Sequence, residues 1–334
     1  MIELWQGAAA PAAPEEGPVA PAADSAAAPL STAPPGSGSA PAGSAPPVVR
    51  SFDLPDDRIT MGAYDPWQSF AGLGLDLEHR YVRQDRPDLL VEALARTRGR
   101  RTLLVTVEPF PPEPSTENVL EVIAEGRRDE EIRRLARAAG DAKPQPLLLR
   151  WGHEMELDNL YPWSDRDPRT YRAAYRRVVE LFRQEGASNV RWVWSPAGEP
   201  EAAPYYPGDD VVDYVGLTVL GDAGWDAIFG RPPRSFADLL APKYEVVAGF
   251  GKPILIAELG VSGTPARQRE WLLAAGAALR NYPRLRAVSY YADVNAPNSR
   301  LPSGPDWRVA AGSYGDFLHA ALAPSSSNPG IARS

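Results

Sequence analysis

Two glutamates that each follow an apolar run are the residues best placed to do chemistry. The first run, Pro146-Leu-Leu-Leu-Arg-Trp151, leads into Gly152-His153-Glu154-Met155, and the second, Pro253-Ile-Leu-Ile-Ala257, leads into Glu258-Leu259-Gly260. Apolar runs without period-2 alternation read as strands covered on both faces. Each such strand delivers its polar residues at its C-terminal end. A pair of carboxyl groups held this way suits glycoside hydrolysis, which needs a proton donor for the leaving oxygen and a second carboxylate at the anomeric carbon. Singly, either glutamate is as readily a solvated strand end or an arginine's partner; together with Arg150 and His153 they point to a site. The two carboxyls need opposite protonation at rest, so their surroundings must push their pKa values apart. A guanidinium favours the ionised form of a carboxylate beside it. Pairing Arg150 with Glu258 leaves Glu154 as the acid, and a purely structural Arg150 is the alternative. His153 either orients the nucleophile, binds a sugar hydroxyl or is a structural residue.

Sugar rings present apolar C–H faces, so a binding cleft needs aromatic surfaces, and the chain holds nine tryptophans and thirteen tyrosines. Most of them belong in a core. Alternation along Arg191-Trp-Val-Trp194 puts Trp192 and Trp194 on one side of a strand. Trp163 and Trp307, in polar, loop-like surroundings, are the expected platforms. Trp194, Tyr291 and Glu108 join the candidate binding and support residues, because each lies near the C-terminal end of an expected strand.

Composition removes several other classes of function. With 334 residues and 44% hydrophobic content, the chain has material for a sizeable core. A net charge of −8 without a basic run argues against nucleic acid and anionic membranes, and suits a neutral substrate. There is no cysteine, and the three histidines show no metal-ligand spacing, so no metal site and no cofactor is expected. No apolar stretch approaches the ~20 residues of a membrane span. The first residues lack a signal peptide's basic and apolar regions. The expectation is therefore a cytoplasmic protein, or an exported bacterial one whose signal lies upstream of this start.

Residues 1–50, rich in Ala, Pro, Gly and Ser, read as a disordered linker of the kind that tethers an extracytoplasmic domain. Residues 51–325 read as one catalytic domain and 326–334 as a flexible tail. Expected strands cover 58–64, 77–83, 102–107, 146–151, 190–194, 212–220, 253–258 and 285–293. Expected helices cover 87–98, 119–139, 168–185, 235–249, 265–280 and 314–322. Parallel strands with right-handed crossovers allow an open doubly wound sheet or a closed barrel. No Gly-x-Gly-x-x-Gly or Walker loop follows the first strand, which disfavours the open nucleotide-binding sheet. Eight units of this length suit a (β/α)8 TIM barrel, whose active sites lie at the strand C-termini.

Arg150-Trp-Gly-His-Glu-Met155 followed by Tyr161-Pro-Trp163 resembles the signature of glycoside hydrolase family 26, the β-mannanase family of the retaining (β/α)8 clan. The resemblance continues through Val193-Trp-Ser-Pro196, Tyr205-Tyr-Pro-Gly-Asp-Asp210, Lys252-Pro-Ile-Leu-Ile-Ala-Glu258-Leu-Gly260 and Asp306-Trp307-Arg308. It implies Glu154 as acid/base, Glu258 as nucleophile, Arg150 and His153 as supports, and Glu108 on the donor side. The implied activity is retaining endo-hydrolysis of a neutral β-linked polysaccharide, most simply β-1,4-mannan, by a secreted enzyme. Hydrolysis of β-glucan or a bacterial exopolysaccharide is the second reading, and a catalytically weak carbohydrate-binding protein the third. Two departures stand out. Glu156 and the Leu157-Asp158-Asn159 insertion follow the acid glutamate, where an added carboxylate would wall the cleft and repel anionic sugars. The sixth strand reads Leu217-Thr-Val-Leu220, so Thr218 or Leu220 replaces the tyrosine that contacts the family's nucleophile.

Overall fold

The computed structural model describes residues 53–97, 100–112, 115, 117–295 and 304–323. The expected linker (1–50) and tail (326–334) lie outside the described residues. Eight parallel strands close on themselves in chain order, giving a (β/α)8 barrel. They are β1 (Thr60–Tyr64), β2 (Leu77–Arg83), β3 (Thr102–Glu108), β4 (Leu147–Trp151), β5 (Val190–Trp194), β6 (Tyr214–Gly221), β7 (Ile254–Val261) and β8 (Leu285–Tyr291). Around them run α1 (Pro87–Thr97), α2 (Val119–Ala124), α3 (Asp129–Asp141), α4 (Pro168–Gln184), α5 (Ala223–Ile228), α6 (Phe236–Ala248), α7 (Pro265–Ala278) and α8 (Ala311–Leu322).

Local chemistry starts these helices. Asp167 caps α4 by accepting from the Thr170 amide ahead of Pro168, whose missing N–H costs nothing in a first turn. Ser235 and Asp238 form a reciprocal capping box on α6. The single helix expected over 119–139 is two helices. Gly126, a poor helix former, takes φ +84° after α2, and the amides of Gly126 and Arg127 turn back to Ile123 and Val122. The short α5 was not foreseen, and β7 runs three residues beyond Glu258.

The barrel interior is layered because side chains alternate along each strand. At the bottom, Leu77, Leu104, Leu148, Val193, Tyr214, Leu255 and Ala287 form one apolar plug, closed from below by Leu54. Two residues further along come His79, Thr106, Arg150, Ser195 and Ser289, all buried and polar. Two residues further again come Tyr81, Glu108, Thr218 and Tyr291. Most polar atoms of this layer find partners within it. His79 bonds Ser289 Oγ at 3.2 Å and Thr106 Oγ1 at 2.7 Å, and Arg150 Nε donates to Ser195 Oγ at 2.9 Å. Gly216 on β6 leaves room for that serine, since a Cβ there would lie 2.4 Å from Ser195 Oγ.

Candidate active site

Arg150 organises the mouth of the barrel. It is fully buried, so its charge must be matched. Nη1 donates to Glu258 Oε1 at 2.6 Å and to Thr106 Oγ1 at 3.3 Å, while Nη2 lies 4.0 Å from Glu154 Oε1. One guanidinium from β4 thus faces both glutamates, Glu258 in direct contact and Glu154 across a gap.

Glu154 reaches this position through backbone geometry. Gly152 and Glu154 both have φ of +53°, a region that suits glycine and strains glutamate. The chain curls at the end of β4, and the Glu154 amide bonds Ser195 O at 2.9 Å. The carboxyl is thereby turned back over the barrel. Glu258 arrives by a different device. With Leu255 in the bottom plug, strict alternation would point Ala257 inward and Glu258 out. The β6–β7 register passes from Leu217 opposite Ile256 directly to Thr218 opposite Glu258, leaving Ala257 unopposed. This bulge shifts the strand's phase by one residue and aims Glu258 at Arg150.

The electrostatics act on Glu154 and Glu108. Burial raises the pKa of Glu154 and the charge of Glu258 adds to it, against lowering by Arg150, Thr218 and Lys243. Glu108, buried at the end of β3, is pushed up to about 7 by burial and then by Glu258. His153 is held well below its ordinary value, first by burial and then by Arg150 and His79, so it is a neutral imidazole. It packs against Tyr161 (4.8 Å between centroids) and Trp163 (5.7 Å), and its carbonyl accepts from Trp163 Nε1. Tyr291 stacks on Tyr64 beside Trp307, and burial followed by the Glu258 charge raises its phenol. Glu108, Arg150, His153, Glu154, Glu258, Tyr291 and Trp307 therefore gather at one end of the barrel.

Several expectations need correction. Trp163 and Trp307 are fully buried, so neither offers an open platform. Trp163 is a prop, stacked on Tyr161 with 6° between planes; Trp307 fills the wall beside Tyr64 and Tyr291 and donates to Asn295. Trp194 points away from the cleft into the helical layer, against Tyr206 and Phe250. Glu156 does not wall the cleft as an exposed carboxylate. It is buried, and Oε1 accepts from the amides of Gly198 (3.0 Å) and Glu199 (3.3 Å), tying the loop after β4 to the loop after β5.

The sequence matches the family model described as glycosyl hydrolase family 26 over residues 118–229. Endoglucanase H of Acetivibrio thermocellus is 28% identical over 283 residues, covering 80% of this chain and 29% of that protein. Beta-1,3-xylanase TXYA of Vibrio sp. is 32% identical over 114 residues, 32% of this chain and 24% of the relative. The chain thus spans less than a third of the length of these curated relatives. In fold, it is similar to a family 26 β-mannanase from Bacteroides ovatus, with TM-score 0.58, 18% identity, and coverage of 80% of this chain and 89% of the other. A modular endo-β-1,4-mannanase from Cellulomonas fimi gives TM-score 0.59 at 19% identity, covering 81% and 71%.

Within this barrel, sequence reasoning passed over two aromatic residues. Tyr81 on β2 is partly buried over the site, edge-on to Tyr64 (4.8 Å) and Tyr291 (6.1 Å). Burial and then the Glu258 charge raise its phenol well above the ordinary value. Its signal was the alternation His79-Arg-Tyr81 in a strand blurred by charge. Trp67, in the loop after β1, is 54% exposed. Its Nε1 donates to Asp293 Oδ1 at 2.9 Å, and the Arg308 guanidinium lies 5.8 Å from its ring centroid. It is a pinned, open aromatic surface at the catalytic end.

Proposed function

We propose that this protein is a retaining endo-β-glycanase acting on a neutral β-linked polysaccharide of the β-1,4-mannan type, with Glu154 as acid/base and Glu258 as nucleophile. The observation that carries the proposal is the single buried guanidinium of Arg150 facing two glutamates from β4 and β7. Burial favours a protonated Glu154 at rest, while the ion pair gives Glu258 its counter-charge. In the first step the Glu154 proton passes to the glycosidic oxygen as the C1–O bond breaks and a Glu258 oxygen bonds to C1. In the second, water attacks C1, Glu154 takes the water's proton and the Glu258–C1 bond breaks, restoring the original anomeric configuration. Retention requires the two carboxyls to lie about 5–5.5 Å apart. A net charge of −8 without a basic run favours a neutral sugar over an anionic one.

The same site supports a second polymer. The relative aligned over 80% of this chain is an endoglucanase, and β6 carries Thr218 where a tyrosine was expected, so β-glucan ranks directly behind mannan. Among the described residues no helix is long and apolar enough to cross a membrane; we place the enzyme outside the cytoplasm, where polymeric substrate lies.

The test is reducing-end release on mannan, mixed-linkage β-glucan, β-1,3-xylan and bacterial exopolysaccharides, with the fresh anomer followed by proton NMR. Initial release of the β-anomer is expected, and Glu258→Ala should abolish turnover. The α-anomer appearing first would refute retention. Wild-type rates in both Glu258→Ala and Glu154→Ala would refute the assignment. Inactivity on every polymer would favour a carbohydrate-binding protein.

A further inference from the structure

We propose that Thr218 is a positioning residue that fixes which oxygen of Glu154 carries the catalytic proton, a role that rests on the glycanase reading above. The Thr218 hydroxyl donates to Glu154 Oε1, although the two residues lie 64 positions apart. Thr218 is 6% exposed, and this is its only side-chain hydrogen bond among the described residues. The β-bulge that turns Glu258 into the barrel sets Thr218 directly opposite it. One irregularity therefore places the nucleophile and, beside it, the hydroxyl that holds the acid.

The two oxygens of Glu154 are unequal. Oε1 receives the Thr218 hydroxyl and faces Arg150 Nη2 at 4.0 Å. Among the described residues, Oε2 is hydrogen-bonded only by the Tyr161 hydroxyl, at 3.5 Å. A proton on Oε1 would oppose the guanidinium. It would also weaken the bond from Thr218, because a protonated carboxyl oxygen is a poorer acceptor than a bare one. The proton therefore resides on Oε2, the oxygen left free to reach a glycosidic oxygen. A tyrosine on the sixth strand would contact the nucleophile; here the β6 side chain serves the acid instead. The other charged and titratable groups around Glu154 are Arg150 on β4, Glu258 on β7, Lys243 on α6, and Glu156 and Tyr161 in its own loop. None of them changes in the test.

The test is Thr218→Val, which keeps the shape and removes the donor, beside Thr218→Ser, which restores it. For Thr218→Val, kcat/KM on the best natural polymer should fall about tenfold, the worth of one such hydrogen bond. On a dinitrophenyl glycoside, whose leaving group needs little protonation, it should barely move. The Glu154 carboxyl, followed by side-chain 13C NMR and assigned by its loss in Glu154→Gln, should titrate at higher pH in Thr218→Val. Thr218→Ser should recover most of both effects, and melting temperatures identify any variant that fails to fold. An active wild type whose Thr218→Val variant keeps the same titration and leaving-group dependence overturns the proposal alone. An equal loss on both substrates does so too, because it marks a structural role. A wild type inactive on all β-glycans overturns the glycanase reading, and the role of Thr218 with it, whatever the titration shows.

Discussion

Replacing Glu156 with glutamine should stabilise the protein at pH 8 and leave it nearly unchanged near pH 4.5. Burial lifts the Glu156 carboxyl from its ordinary 4.5 to about 7, against the hydrogen bonds it accepts. Between those two values the folded state holds a proton that the unfolded state has released. Stability therefore falls as pH rises through this window and levels off above it. The gap corresponds to roughly 3 kcal/mol at about 1.4 kcal/mol per pH unit. Glutamine keeps the oxygen that accepts from the Gly198 and Glu199 amides and carries no charge at any pH. Glu108, raised to about 7 in the same way, remains in both proteins and cancels in the difference. Urea unfolding at pH 4.5 and pH 8 measures the effect, with a gain of up to about 3 kcal/mol expected only at the higher pH. Equal changes at both pH values, or a loss at pH 8, would show that the Glu156 carboxylate is not desolvated in the folded state.

Arg150→Met leaves the buried Glu258 carboxylate without its cation and breaks the bonds to Ser195 and Thr106. It should abolish activity and cost about 3–5 kcal/mol in denaturant unfolding, and a cost under about 1 kcal/mol would show that the network is dispensable. Activity should fall as pH rises through the raised pKa of Glu154, because the acid loses its proton there; a kcat/KM profile still rising well above neutrality would contradict that acid. Trp67→Ala should raise KM on polymer up to about tenfold with kcat and melting temperature held, since it removes an exposed ring from the barrel mouth. An unchanged KM would show that the ring is not a sugar platform.

The sequence alone determined what depends on local pattern. Buried parallel strands announce themselves as apolar runs, so Thr102–Glu108, Leu147–Trp151 and Val190–Trp194 were legible almost to the residue, and their alternation with helices gave the barrel. Position at a strand's end likewise put Glu108, Arg150 and Glu258 at one face. The tertiary structure decided what depends on partners distant in the chain. A bulge is a mismatch between two strands, so no periodicity within β7 reveals that Ala257 is skipped and Glu258 turned inward. Burial of a loop tryptophan depends on what folds over it, so Trp163 and Trp307 read as exposed and are not, while Trp67 went unnoticed. Glu156 looked like a solvated carboxylate until the loop after β5 supplied two amides. The partner of Glu154, Thr218, lies 64 residues away on another strand. Short-range sterics fix the strands and helices, and only closing the barrel brings these distant groups within hydrogen-bonding reach.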